Sequence, residues 1–312
     1  MRYLLAISLL FSLSLPVLGF DRGGAKAVNL LRRSAGMIPL KNDYTLSRSA
    51  YHHAKYLGRL HRKGHLERPG SAYYTGRTPF DRMVQAGYPS RAGVENISYG
   101  DSTYTHSVGV LMSTLYHRLA FLDFRIDSLG SSEYGNRRGR IYVYDMASSA
   151  VAKLCREHPK GGGREVYGVC ANGQGLPLGP FRQALAEVER RNPALVLWPP
   201  PGARRVPRTF IRETPDPIPG IYHAGYPVTV QFNPARYRRV RMKSFRLLDG
   251  KGRVVPSKIL TSRNDPHHKL SPYEFALIPL RRLAPHTRYT AVFTGTADNK
   301  RIEKRWQFTT GG

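Results

Sequence analysis

Three residues of this 312-residue chain could do chemistry together: His65 in "KGHLE", Glu95 in "VENIS" and His117 in "LYHRLAFL". Two imidazoles and a carboxylate suit zinc, with a fourth position left to water as in open metal sites. Without metal, Glu95 could act as a general base and a histidine as the acid. The long spacings do not show that the side chains meet. A backbone-bonded helix-end histidine, a loop histidine and a turn carboxylate are the ordinary alternatives.

No serine or cysteine lies in a motif that supports acyl transfer. The chain has only two cysteines, Cys155 and Cys170, in one loop-rich region. In an exported protein such a pair predicts a disulfide, and two free thiols are the alternative. Their spacing fits neither a metal site nor a redox motif.

The N-terminus has the pattern of an export signal. One basic residue, Arg2, precedes an apolar run that ends before Gly19, which predicts a signal peptide over residues 1–19. An uncleaved anchor is the alternative, although the run is short for a membrane span. No later segment is apolar enough to cross a bilayer, so we expect no transmembrane segment after cleavage. The sequence therefore predicts a secreted or periplasmic protein.

The charge balance favours anionic partners. The chain has 49 basic and 21 acidic residues, a net charge of +28, and the excess is spread along its length. Lipid headgroups and cell-wall polymers fit such a field, whereas export argues against nucleic acid. General solubility is the alternative interpretation.

Helical periodicity places several elements around the candidate site. Leu46, Ala50, Ala54 and Leu57 share one face of a predicted helix. The segment 106–122 is a further predicted helix and carries His117. The alternating segment 140–147 is a predicted strand.

The composition changes in the second half of the chain. Residues 161–219 are rich in loops, with one predicted helix at 181–192, and residues after about Thr214 read as short strands. The predicted domains are therefore the signal peptide 1–19, a domain over 20–213 that includes the disulfide, and a β-sandwich over 214–312. One candidate basic surface lies in the last of these; its residues are Arg236, Arg238, Arg239, Arg241, Lys243 and Arg246. A solvated edge protected from aggregation is the alternative interpretation.

Several motifs occur in an order that resembles a known family. They are "VNLLRRSAGMIPL", "LSRSAYHHAKYL", "GHLE", "YTGRTPFDRMVQAGY", "ENISYG" and "STLYHRLAFLDFRIDSLG". Together they resemble the bacterial form of the CAP superfamily, the cysteine-rich secretory, antigen 5 and pathogenesis-related proteins. The resemblance covers residues 28 to about 147. Residues 214–312 resemble bacterial Ig-like domains.

The resemblance implies an α+β fold, namely a three-layer α/β/α sandwich followed by the all-β Ig-like sandwich. It also implies that His65, Glu95 and His117 line one cleft. The family's second acidic residue is missing, since Thr114 stands nearest to its position, and Tyr142 or Tyr144 replaces a histidine on the strand. These departures weaken the expectation of zinc.

We therefore expect a protein that binds at the cell envelope rather than an enzyme. In this hypothesis the cleft takes a small apolar ligand, and the basic surface binds an anionic lipid headgroup or cell-wall polymer. A metal-dependent hydrolase that uses His65, Glu95 and His117 is the alternative. A purely structural envelope protein is a third hypothesis.

Overall fold

The computed structural model describes residues 23–136, 139–157, 159 and 162–312. The predicted signal peptide lies outside these residues. The N-terminal part contains, in chain order, α1 (Gly23–Ser34), β1 (Lys41–Asn42), α2 (Tyr44–Arg59), α3 (Pro79–Gln85), β2 (Gly93–Tyr99), α4 (Tyr104–Met112), α5 (Tyr116–Phe121), β3 (Ser128–Asn136) and β4 (Gly139–Ala147).

The N-terminal part is a three-layer sandwich, as predicted. Its sheet has the strand order β1-β3-β4-β2, and β2 runs antiparallel to β4 at one edge. Helix α2 packs against β3 and β4 on one face, while α1, α4 and α5 contact the sheet on the other. The sheet edge at β2 is where the candidate residue Glu95 lies.

Helix α2 forms where the apolar periodicity predicted it. The carboxylate of Asp43 accepts hydrogen bonds from the first-turn amides and caps the helix. Leu46, Ala50, Ala54 and Leu57 are fully buried against the sheet. Gly130 on β3 lets the helix approach closely, since a Cβ there would lie 2.0 Å from the Ser47 amide nitrogen. This tight packing fixes the helix over the strand that faces Glu95.

The single helix predicted over 106–122 is instead two helices. Helix α4 ends at Met112, and α5 begins at Tyr116 with a new axis. The amides of Leu115 and Tyr116 donate to the carboxylate of Glu213, a residue from much later in the chain. Periodicity alone cannot reveal this break, because the capping group is distant in sequence.

A helical extension follows the sandwich. It contains α6 (Ser149–Glu157), the short strands β5 (Glu165–Val166) and β6 (Leu176–Pro177), and α7 (Leu178–Arg190), which packs against α6. Cys155 and Cys170 form the predicted disulfide.

The C-terminal part is all β, as predicted. Its strands are β7 (Leu195–Trp198), β8 (Val228–Phe232), β9 (Val240–Leu248), β10 (Ser257–Leu260), β11 (Glu274–Pro279), β12 (Arg288–Ala297) and β13 (Lys300–Thr309). They form a four-stranded sheet of order β10-β11-β8-β7 and a three-stranded sheet of order β13-β12-β9. Aromatic rings from both sheets meet in one core, among them Phe232, Phe275 and Phe293.

The two parts of the chain are joined by buried contacts. Strand β7 precedes the predicted boundary near Thr214 yet pairs with β8 of the C-terminal sheet. The guanidinium of Arg118 on α5 is fully buried, donates to the Pro227 carbonyl at 2.6 Å and stacks on the ring of Tyr226 at 4.5 Å. Within the described residues, no helix has the length and apolarity needed to span a membrane.

Candidate functional site

The structure brings His65 and Glu95 together. Glu95 lies on the edge strand β2, and its side chain is almost fully buried, while the His65 ring is 40% exposed. His65 Nδ1 lies 2.8 Å from Glu95 Oε1, and Arg82 Nη2 donates to Glu95 Oε2 at 2.7 Å. Because a carboxylate can only accept, the proton of this bond sits on His65 Nδ1. The Nε2 atom of His65 is then the one left for a ligand.

Buried charges behind Glu95 hold it in place. The guanidinium of Arg82 is fully buried, with Nε 3.8 Å from Glu67 Oε1 and Nη1 donating to the His65 carbonyl. His53 Nδ1 lies 2.9 Å from the same Glu67 oxygen, and its Nε2 is 4.0 Å from Glu95. One guanidinium therefore lies between two carboxylates in a site shielded from solvent.

A second carboxyl group, that of Asp145, lies across the ladder from Glu95. Burial acts to raise the pKa of Glu95, but the charges of Arg82 and His53 and the hydrogen bond from His65 lower it to about 2. Burial first, and then the charge of Glu95, raise the pKa of Asp145 well above its ordinary range. Neither oxygen of Asp145 accepts a hydrogen bond from the residues described. The pair thus carries one negative charge rather than two.

His117 has its own carboxylate partner, Glu213. His117 Nδ1 lies 2.8 Å from Glu213 Oε2 and 3.3 Å from Thr114 Oγ1, and its side chain is 16% exposed. Glu213 therefore takes the place of the acidic residue that the N-terminal sequence lacks. Thr114 is the residue predicted to stand near that position, and it contacts the same nitrogen.

The rings of His65 and His117 are neighbours. Their centroids are 6.5 Å apart, and the rings are inclined by 26°. The backbone of His117 is held by the Asn96 amide, which donates to its carbonyl at 2.9 Å. Two imidazoles, each with Nδ1 bound to a carboxylate, therefore line the same space.

The residues do not fit a three-ligand zinc site. Both oxygens of Glu95 are occupied, by His65 and by Arg82, and the Nδ1 atoms of both histidines face carboxylates. Throughout the described ranges, no three His, Cys, Asp or Glu side chains are arranged to hold a metal ion. The predicted set of His65, Glu95 and His117 is therefore adjacent but not converged on one point.

The two strand tyrosines considered from the sequence lie elsewhere. Tyr142 packs edge-on against Tyr104 at 4.8 Å, and Tyr144 donates or accepts at Ser107 Oγ at 2.8 Å. Both are fully buried on the sheet face opposite Glu95. The β4 residue beside the site is Asp145.

A cleft of about 800 Å³ opens over these histidines. It is lined by both parts of the chain: His65, Glu95, Tyr116 and His117 come from the sandwich, and Gln231, Lys269 and Tyr273 come from the C-terminal part. Apolar walls are provided by Leu119, Ala120, Phe124, Leu185, Phe232 and Leu270. Such a volume and mixed lining are typical of small-molecule sites.

A second polar group lines the same cleft. It contains Asp123, Arg125, Glu189 and Glu274. Arg125 Nη2 lies 2.7 Å from Asp123 Oδ2, and burial raises the pKa of both Glu189 and Glu274. The cleft therefore presents carboxyl groups near its apolar wall, which differs from the purely apolar ligand site expected.

Sequence reasoning missed the residues that orient the histidines. Glu67 and Arg82 lie in "GHLE" and "TPFDRM", where a charged residue beside apolar neighbours hints at a buried partner. Asp145 lies in an otherwise apolar strand, which is a similar hint. Glu213 gives no local signal, because its partners lie 96 to 98 residues earlier.

The predicted basic surface divides into two sets. Arg241, Lys243 and Arg246 lie on β9 and are exposed. Arg236, Arg238 and Arg239 precede β9 and are also exposed, and Arg236 donates to the Arg190 carbonyl of α7.

Comparison with known proteins identifies the N-terminal part. Residues 25–146 match the family model CAP, described as the Cysteine-rich secretory protein family. No curated protein matches the chain.

Two solved structures are similar to part of the chain. An outer surface protein from Borrelia burgdorferi is 19% identical, with a TM-score of 0.35, and the match covers 39% of this chain and 87% of that one. An extracellular protein containing a SCP domain from Bacillus anthracis is 18% identical, with a TM-score of 0.35, and the match covers 41% of each chain.

Proposed function

Residues 25–146 are a CAP domain, and from this premise we propose that the protein is an exported binding protein of the cell envelope. It holds part of an envelope component in the cleft between the CAP domain and the C-terminal β domain. The description of the family as secretory and the export signal in the sequence support the location.

The cleft is the observation that carries this proposal. Its volume of about 800 Å³ exceeds what a single side chain or a few waters would occupy, and two domains contribute its walls. Leu119, Phe124 and Leu270 would contact an apolar segment of the ligand. The imidazoles of His65 and His117 would bind a polar group next to it. A ligand with both apolar and polar parts therefore fits better than a wholly apolar one.

Binding explains the histidine geometry better than metal-dependent hydrolysis. Carboxylates hold Nδ1 of His65 and of His117, so each ring offers Nε2 alone. Glu95 is occupied by Arg82 and His65, which leaves no free carboxylate oxygen as a third ligand.

A metal-free hydrolase is the second candidate, and the paired histidines favour it. An imidazole whose Nδ1–H is held by a carboxylate has an unprotonated Nε2 that can accept a proton, as in carboxylate–histidine catalytic pairs. His65 and His117 could then act as base and acid on a bound substrate. In this candidate Glu95 orients a histidine and is not itself the base.

The anionic partner remains part of the proposal. The exposed cations of β9 and of the segment before it would bind a phosphate- or carboxylate-bearing envelope component, whether a polymer or a lipid headgroup. The cleft and this surface would then engage two parts of the same envelope.

The test is co-sedimentation of mature protein with isolated envelope material. Ala120→Phe should fill the cleft, because Ala120 lines it and is partly buried, while Ala72→Phe places the same ring on an exposed turn. We expect Ala120→Phe to weaken retention of the bound component about 10-fold or more, with Ala72→Phe unchanged. Equal retention by both variants would reject the cleft as the binding site. Release of soluble fragments that stops in His117→Gln would instead establish the hydrolase.

A further inference from the structure

We infer that the exposed face of the three-stranded sheet β13-β12-β9 is a groove for a linear polymer that carries phosphate groups. The inference rests on the anionic-partner half of the proposed function and names the partner's chemistry. It concerns a surface separate from the cleft.

The strand register places arginines in two rows across this sheet. Arg246 on β9 and Arg305 on β13 both pair with Val292 of the central strand β12. Arg241 and Arg301 both pair with Thr296. All four arginines are exposed. Each row therefore has a guanidinium on both outer strands and a small residue between them.

The floor between the arginines is made of short side chains. Val292, Thr294, Gly295 and Thr296 of β12 line a depression of about 920 Å³ together with the flanking cations. Gly295 has no alternative, because a Cβ there would lie 2.1 Å from the Arg241 carbonyl oxygen. Neighbouring strands are about 4.8 Å apart, so the two outer backbones are roughly 10 Å apart. That width suits one extended chain.

A β-bulge adds a fifth cation. The pairing of β9 with β12 shifts between Thr294 and Gly295, which leaves Lys243 as the extra residue. Lys243 is exposed and lines the depression beside Ser244, whose hydroxyl lies 2.8 Å from Thr294 Oγ1. The hydroxyls on the floor can donate to an oxyanion that the cations attract.

These positive charges are weakly neutralised by the groove itself. Glu303 is the one acidic residue among those that line it. Arg301 lies 3.5 Å from Glu303, but both side chains are at least half exposed, so water screens the pair. Arginine forks match phosphate oxygens bidentately, which favours phosphate groups as the anions.

The shape favours a polymer over a bilayer. Long arginine side chains flank short ones, so a flat headgroup layer would touch the arginine tips and miss the hydroxyls on the floor. Charged residues on edge strands also prevent edge-to-edge pairing of sheets. That protection needs charge of either sign, whereas these strands present five cations to one acid across the groove.

The test measures binding of long-chain inorganic polyphosphate to the full mature protein at several salt concentrations. The groove variant is Arg241→Gln/Arg246→Gln/Arg301→Gln/Arg305→Gln. The control is Lys26→Gln/Arg33→Gln/Arg182→Gln/Arg263→Gln, which removes four exposed cations outside the groove. We expect the groove variant to bind about 100-fold more weakly at low salt and the control to change less than 3-fold. The slope of log affinity against log salt should fall by about 0.7 per lost contact.

Equal weakening by the two variants would overturn the inference, as would tighter binding to anionic phospholipid vesicles or to polyglutamate than to polyphosphate. The double variant Arg246→Gln/Arg305→Gln tests one row if the quadruple variant does not fold. Polyphosphate binding that persists in Ala120→Phe would separate the groove from the cleft. Envelope binding without polyphosphate binding would reject this inference and leave the proposed function standing.

Discussion

Glu213 Oε2 lies 2.8 Å from His117 Nδ1, although the two residues are 96 positions apart in the chain. The same carboxylate accepts from the amides of Leu115, Tyr116 and His117 at 2.6 to 3.3 Å. One residue beyond the CAP match therefore starts a helix inside it and orients a histidine of the cleft.

Glu213→Ala should destabilise the protein by about 2–3 kcal/mol, because it removes a helix cap and leaves buried donors unpaired. Urea unfolding measures the loss. Glu187→Ala, at a partly exposed position of α7, should change stability by less than about 0.5 kcal/mol. The Nδ1–H signal of His117 in proton–nitrogen spectra should vanish with Glu213→Ala. Its persistence would show that Glu213 does not orient the ring.

Arg82→Met should cost about 3–5 kcal/mol, since Glu67 and Glu95 would remain buried without their shared cation. Arg77→Met, at an exposed position five residues earlier, is the matched control and should be nearly neutral. Thermal unfolding compares the two variants. Similar melting temperatures would contradict the buried network.

Asp145→Asn should flatten the pH dependence of stability above pH 4. The folded protein keeps a proton on Asp145 that the unfolded chain releases near its ordinary pKa of 3.8, so stability falls as pH rises through the range between the two pKa values. Asparagine cannot titrate. Denaturant unfolding at pH 4, 5, 6 and 7 should show a smaller decline in the variant than in the native protein. Parallel curves would mean that Asp145 is ionised in the fold.

Glu95→Gln should remove a different part of the pH profile. The folded pKa of about 2 lies below the ordinary 4.5, so the ionised Glu95 stabilises the fold above pH 4.5, and this contribution is lost as pH falls through 2. The variant should be less stable at pH 7, because Arg82 loses its partner, yet lose less on acidification. Glu157→Gln, at an exposed position, should keep the native acid profile. An unchanged acid slope in Glu95→Gln would contradict this assignment.

The double variant Cys155→Ser/Cys170→Ser should lower stability by about 3 kcal/mol, as expected for opening a loop of 15 residues. The disulfide lies in the extension and contacts neither His65 nor His117. Retention of the envelope component should therefore be unchanged at temperatures where the variant is folded. Loss of binding in folded protein would show that the extension positions the cleft.

The sequence predicted the local elements of the CAP domain well. Helix α2, strand β4 and the disulfide follow from patterns within a few residues, because apolar spacing and cysteine pairing are local signals. The nearness of His65 to Glu95 followed from motif resemblance. These features needed no knowledge of how distant segments pack.

The remaining features depend on contacts between distant residues. Glu213 interrupts a helix that its own periodicity predicts as continuous, and no pattern near either residue records that contact. Arg301 and Arg305 join Arg241 and Arg246 only through the register of three strands. Such pairings are set by tertiary packing, so a single sequence does not reveal them.

The contacts of α5 also bear on how such a chain could be assembled by gene recombination. A fragment cut at residue 146, where the CAP match ends, would encode Arg118 without its acceptor at Pro227 and α5 without Glu213. A transplanted module would have to include the chain through Pro227 to keep both partners. The unit that can be exchanged intact between genes is therefore longer than the family domain.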